Sequence, residues 1–384
     1  MLNYSASPNV LIIACNGLSY GDISCHGNPR IQTPNLDKLF HHGIRLDQFH
    51  IELHPKLVHK HLIFCHNDQD SSISKDINLP LIFGYNDYIT GFFGEWHLAD
   101  QLTQGNKYFN EFFTTNHPVE LSQELKRAKF SYSHTTNHSF FLAEEFIKRC
   151  SNNKKQFMIL ISTNNFEHNQ FLELSESATL PFFDKELSGH FHSINNIDTL
   201  IGSLNKTLEL EKNFENTLVF FMSTEPNKIG TLYYNAGLRG EKGRLYEGAH
   251  RVPCFLRWPI ANWNTGETIN FLSHPADLLP TLIQACQLKL PATKPLLHGY
   301  DLNPLINKEE HRSTIRTILL KTPQIQKINK YQTAILRSNW RLVNGKELYD
   351  ITSDPSQNTN LSSMYPNLVK TFNQDSLPST TSRG

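Results

Sequence analysis

The apolar positions of this chain fall into two alternating patterns. Val10-Leu11-Ile12-Ile13-Ala14 is a continuous run rich in β-branched residues between polar neighbours, which suits a strand buried on both faces of a parallel sheet. Phe157 to Ile161 and Thr217 to Met222 repeat it. Between these runs the apolar residues recur at helical spacing. Leu36, Leu39 and Phe40 share one face behind Thr33 as N-cap and Pro34 at the first helical position, and Gly43 closes that helix. Phe141, Ala143, Phe146 and Ile147 lie on a helix leading into the second run, and Ile194, Ile197, Ile201, Leu204 and Leu208 precede the third. Alternating helices and buried strands predict an α/β fold over residues 1–305, with a mostly parallel central sheet sandwiched by helices.

The texture changes after residue 305. Thr314 to Leu320 and Tyr331 to Arg337 read as strands, and Asn344-Gly345 between Trp340–Val343 and Glu347–Ile351 is a strong hairpin signal. A last helix starts near Pro366 with Leu368, Val369 and Phe372 on its apolar face. Residues 306–374 therefore form a small α+β module with antiparallel strands, and 375–384 a Ser/Thr-rich, disordered tail.

Composition narrows the partners. Thirty-six basic residues balance 36 acidic ones, so the global field attracts neither nucleic acid nor an acidic membrane surface. No apolar run reaches the roughly 18 residues that span a bilayer. The six cysteines, at positions 15, 25, 65, 150, 254 and 286, form no CxxC pair. With the first strand beginning at Asn9, no export signal fits before it, and the chain as written reads as cytoplasmic; an incomplete N-terminus would allow export.

Several stretches then line up in order. They are Pro8-Asn9-Val10 through Leu18-Ser19-Tyr20-Gly21-Asp22, Gly27-Asn28-Pro29 through Leu39, and Gly94-Glu95-Trp96-His97-Leu98. Next come Thr217 to Ser223, Leu238 to Gly243 with Tyr246-Glu247-Gly248 and Arg251-Val252-Pro253, and Asp277-Leu278-Leu279-Pro280-Thr281. Glu347 to Asp350 with Asp354-Pro355 and Asn360-Leu361 completes the series. Together they resemble the arylsulfatase-like sulfatases of the alkaline-phosphatase superfamily, including that family's GKWHLG and GGKGxxYEGGxRVP blocks. The resemblance implies hydrolysis of sulfuric esters. It also implies a calcium or magnesium ion held by two aspartates after the first strand and an Asp-Asn pair after a later one, and a formylglycine nucleophile made from the Cys of a CxPxR segment.

The positions that carry that chemistry are altered here. The expected Asp-Asp reads Asn16-Gly17, and Thr224-Glu225 stand on the later pair, unless a one-residue bulge brings Glu225 and Asn227 into play. Leu53 occupies the nucleophile position and Leu57 that of the motif arginine, with Pro55 surviving; leucine cannot become a formylglycine or a nucleophile. The lysine of GKWH is Glu95, and the later Pro-His pair reads Phe166-Glu167 with His168 one residue on. His97 and Lys242 remain as anion-binding candidates, against the plainer readings of a histidine held by its neighbours and a solvated cluster with Arg239, Glu241 and Arg244.

His54, His59, His61, Cys65 and His66 crowd the start of the nucleophile helix, and His61 with Cys65 would share a face usable by zinc or copper; an amphipathic surface helix in a chain with 19 histidines is the plainer reading, since no third and fourth ligand is identified. No nucleotide-loop or nucleophile-elbow motif occurs. Three functions follow. One is a catalytically inactive sulfatase homologue that expects no cofactor and binds an unknown ligand or protein partner, through a residual anion-binding cleft. Another is a divergent sulfuric or phosphoric ester hydrolase with a rebuilt metal-dependent site built on Glu225, His97 and the histidine-rich segment. The last is a folded remnant. The cleft is expected at the carboxyl ends of the strands, near Asn16, His97, Thr224 and Lys242.

Overall fold

The computed structural model describes residues 7–64, 78–98, 107–115, 135–164, 182–263, 265–291, 297–309, 315–322 and 332–375. Strand β1 (Asn9–Asn16) lies at the centre of an eight-stranded sheet of order β4-β3-β5-β1-β6-β7-β2-β8. The other strands are β2 (Ile44–Leu46), β3 (Ile89–Gly94), β4 (Glu111–Thr114), β5 (Phe157–Asn164), β6 (Thr217–Glu225), β7 (Cys254–Arg257) and β8 (Thr268–Ile269). Only β7 runs against the others, pairing antiparallel with β6 and β2, so the sheet is mixed but mostly parallel.

Continuous apolar runs are needed because each strand feeds two cores. Val10, Ile12 and Ala14 of β1, with Leu218, Phe220 and Met222 of β6, pack with Val58, Leu62 and Ile63 of α2 (Pro55–Phe64), α3 (Leu79–Tyr85) and α7 (Leu278–Ala285). Leu11, Ile13 and Cys15, with Val219 and Phe221, face the opposite layer: α1 (Pro34–His42), α4 (Thr135–Asn152) and α5 (Phe182–Leu210). Each fully buried side chain of this size contributes about 1.5–3 kcal/mol. In α4, Ala143, Phe146 and Ile147 enter this core as their spacing predicts, but Phe140 joins them in place of Phe141, which is exposed. Thr33 does precede α1, but its hydroxyl donates to Asp37 and meets Ser24 rather than capping the helix.

A second, antiparallel sheet of order β12-β11-β10-β9 comprises β9 (Thr317–Lys321), β10 (Thr333–Arg337), β11 (Trp340–Val343) and β12 (Glu347–Asp350). Asn344 and Gly345 turn the β11–β12 hairpin with φ of 54° and 67°, as a type I′ turn requires. Leu368, Val369 and Phe372 of α9 (Pro366–Asp375) pack on this sheet; α8 (Asn303–Ile306) belongs to the first core. No helix among the described residues is long and apolar enough to cross a membrane.

Candidate functional site

The parallel strands β3, β5, β1 and β6 end on one edge of the sheet, the edge at which open α/β sheets build their sites. Asn16 closes β1. Cys15 pairs with Ser223 and Asn16 with Glu225, so Thr224 is the extra residue of a β-bulge. Glu225 comes opposite Asn16, and its backbone carbonyl accepts from Gly17 N–H at 3.0 Å. Asn227 does not join them, because its side-chain oxygen accepts from Ile229 and Gly230 and caps α6 (Lys228–Tyr233).

A hard divalent cation requires several oxygen ligands with carboxylates to balance its charge. Here Gly17 has no side chain, Asn16 is neutral, and the buried Thr224 hydroxyl has no hydrogen-bond partner among the described residues. The one carboxylate, Glu225, receives the Lys242 ammonium at 2.8 Å. The residues at these positions do not fit a calcium or magnesium ion. Lys242 leaves the cluster read from sequence: Arg244 approaches Glu241 at 3.8 Å, while Arg239 covers the Tyr246 ring and donates to Tyr349 and the Gln357 carbonyl.

The nucleophile position is equally changed. Leu53 lies just ahead of α2 and packs against a cluster containing Leu245, Leu272, Ile318 and Tyr349. It is fixed by apolar contacts.

His97 follows β3, which ends at Gly94 with φ of 132°; a Cβ there would fall 1.7 Å from the Ser162 carbonyl oxygen. This close approach explains the glycine before Glu95-Trp96-His97. His97 Nε2 lies 3.4 Å from Glu95, and the His97 ring is tilted against His59 at 4.4 Å. Burial, with His54 adding to it, lowers the His97 pKa to about 4, so the ring is neutral at pH 7.

His59 is a functional-type residue whose partner sequence reading did not supply. Its Nδ1–H donates to the Pro55 carbonyl, leaving Nε2 to accept from the Ser162 hydroxyl at 2.9 Å. The geometry is that of a serine and its base. Yet both side chains are buried, and burial followed by His97 holds His59 at a pKa of about 3, far below what general-base work at neutral pH needs.

The rest of the histidine-rich segment disperses. His61 stacks edge-on to His274, near Glu52, while Cys65 and His66 lie outside the described residues, as do Phe166, Glu167 and His168. Glu52, His61 and His274 come within 4.8 Å of one another through potential ligand atoms, as do His50, Glu247 and His250. Neither group offers a ready metal site. His274 Nδ1 accepts from Ala276 N–H, so its ring proton sits on Nε2, 3.7 Å from Glu52. His50 and His250 share a hydrogen bond between their Nδ1 atoms at 2.9 Å, and Glu247 accepts from Arg341 at 2.6 Å.

The comparisons with known proteins agree with the geometry of the fold. Human arylsulfatase A is 24% identical over 358 residues, which cover 78% of this chain and 68% of that protein. Human steryl-sulfatase is 20% identical over 425 residues, covering 80% and 71%. A crystal structure of a sulfatase from Pseudoalteromonas sp. superposes with a TM-score of 0.71 at 16% identity, covering 97% of this chain and 89% of that one. The phosphonate monoester hydrolase of Agrobacterium radiobacter does so at 0.69 and 17%, covering 96% and 94%. The family model described as Sulfatase matches residues 8–288, and this chain belongs to the sulfatase family.

Proposed function

We propose that this protein is a catalytically silent member of the sulfatase family, which works without a divalent cation and by binding a ligand or protein partner. The observation that carries the reading is Leu53. The residue at the nucleophile position is a hydrocarbon seated among Leu245, Leu272 and Tyr349, so no group stands there to attack sulfur or phosphorus.

Charge around the old cleft supports the same reading. In a sulfatase, cation and lysine together neutralise the ester oxygens. Here Lys242 neutralises Glu225 instead, and the carboxylate of Glu95, where the family has a lysine, sits beside His97. Of the two family-matching residues, Lys242 is paired with a carboxylate and His97 lies neutral beside another.

A rebuilt hydrolase is the second reading, and the Ser162–His59 hydrogen bond is what favours it. Its weakness is the base: burial keeps His59 neutral down to about pH 3, which leaves little driving force for proton transfer at pH 7.

The test is turnover of generic aryl sulfate and aryl phosphate esters by purified protein with calcium, magnesium, manganese or zinc, with His97→Ala as control. No turnover above the control is expected. Metal-dependent turnover lost in His97→Ala would overturn the silent reading. Turnover lost only in Ser162→Ala would move the chemistry to the serine.

A further inference from the structure

A cavity of about 440 Å³ lies between the loop after β1, helix α1, strand β2 and the entry to β7. Neither Asn16, Leu53, His97, Thr224 nor Lys242 lines it. Aromatic rings form part of its wall: Tyr20 and His26 stack at 4.0 Å, and Phe40 and Phe255 meet edge-on at 6.0 Å.

Formally the charges in and around this cavity balance, Arg45 and Arg251 against Asp37 and Asp47, but they are not equally engaged. Asp47 is consumed, since Tyr20 donates to one oxygen at 2.6 Å and Arg251 to the other at 2.6 Å. Asp37, behind the wall, accepts from Ser24, Thr33 and the Cys25 backbone N–H. Glu267, whose backbone meets Arg45, gives its carboxylate to Lys308 at 2.6 Å. His26 adds no charge: its Nδ1–H is used on the Tyr20 carbonyl, and burial lowers its pKa to about 4.

Arg45 is different. Its guanidinium lies over the Phe40 ring at 4.3 Å, and its Nε–H donates to Thr268 at 2.8 Å. These contacts fix the plane of the fork, while no acceptor among the described residues engages its two terminal nitrogens. A guanidinium pre-oriented on an aromatic face is suited to bidentate recognition of an oxyanion. The walls mix apolar side chains with the polar groups of Tyr20, His26, Asp47 and Thr268, and a pocket of a few hundred Å³ with placed polar groups can orient a small molecule.

We propose that this cavity binds a small organic monoanion with a flat apolar body, the oxyanion on Arg45 and the body in the space lined by Tyr20, Phe40, Leu46 and Val252. The site is independent of the sulfatase cleft and does not rest on whether that cleft is silent.

Calorimetric titration with 2-naphthoate and its neutral analogue 2-naphthamide tests it on the intact chain. Naphthoate is expected to bind with a Kd on the order of 0.1 mM, and naphthamide at least about tenfold more weakly. Arg45→Met should lower naphthoate affinity by about ten- to a hundredfold, as loss of a charged hydrogen-bond partner does; Lys242→Ala should leave it unchanged. Absence of binding up to about 10 mM, equal affinity for the amide, or an unchanged Arg45→Met titration would overturn the assignment. So would loss of binding in Lys242→Ala, which would place the ligand in the old cleft. The acid-to-amide comparison uses the unaltered protein, so it stands even if Arg45→Met does not fold.

Discussion

Replacing Glu247 by glutamine should expose how the second sheet is fastened to the sulfatase core. Glu247 is fully buried, and its Oε1 accepts from Arg341 Nε at 2.6 Å, while Arg251 lies 3.8 Å from Oε2. Arg341 belongs to β11 and is itself 1% exposed; it also donates to the Ser338 and Trp340 carbonyls and to Gln48. Glutamine keeps the volume and one acceptor but leaves the Arg341 charge buried without a carboxylate. Breaking a buried pair from one side costs about 3–5 kcal/mol. Because Arg341 keeps its neutral acceptors, the low end, about 3 kcal/mol, is expected. Arg251 retains Asp47 at 2.6 Å and adds little.

The pH dependence gives a second check on the same variant. Burial alone would raise the Glu247 pKa, but Arg341, with His250 and Arg251, outweighs it and holds the carboxyl below its ordinary value of 4.5. A depressed carboxyl contributes stability that is complete above its unfolded pKa and is lost as pH falls through the folded one. The gap between wild type and Glu247→Gln should therefore be widest near pH 7 and narrow on acidification below about pH 4.5. Urea unfolding followed by tryptophan fluorescence suits the question, since Trp340 neighbours Arg341 in sequence. Adding Arg341→Met to Glu247→Gln should recover part of the loss, because the orphaned charge goes too. A gap under about 1 kcal/mol, or one that stays constant from neutral to acid pH, would refute the argument.

Three further outcomes are expected. Gly94→Ala would drive a Cβ into the Ser162 carbonyl and should cost more than about 4 kcal/mol, read as lost soluble protein or a steep fall in Tm. Ser162→Ala leaves His59 Nε2 without its donor and should destabilise by about 1–3 kcal/mol in a thermal melt. Chelator should leave the wild-type Tm unchanged, and Lys242→Ala, at a half-exposed pair, should cost under about 1 kcal/mol; a drop of several degrees on chelation would reveal a bound cation.

Much of the fold was legible because its causes are local. A strand with two buried faces must be apolar at every position, and Val10 to Ala14 and Leu218 to Met222 are. Asn344-Gly345 announced its hairpin since few other pairs tolerate two positive φ values. The ordered motif blocks carried the family. Phe140, not Phe141, stands three and seven residues from Ala143 and Ile147, so helical spacing already favoured the ring that enters the core. What stayed hidden depends on packing across long sequence distances. Nothing near Lys242 indicates that its ammonium reaches Glu225, because the bulge at Thr224 sets that meeting. His59 reads as one of several histidines in a helix; its hydroxyl partner comes from β5, 103 positions away. The cavity around Arg45 is invisible for the same reason: its walls come from residues 20–47 and 236–268, segments about half the chain apart.

The most direct measurement of catalytic silence is a single-turnover reaction, with protein in excess over 4-nitrophenyl sulfate in the presence of calcium or magnesium. Nitrophenolate and inorganic sulfate would be quantified separately, and the intact protein mass followed for a covalent adduct. The expected result is no release of either product beyond the buffer rate and no mass change, because a leucine stands where the nucleophile is needed. Stoichiometric release of sulfate, or a sulfated protein species, would mean that another group attacks the ester and that the site assigned around Leu53, Glu225 and Lys242 is not where this protein works.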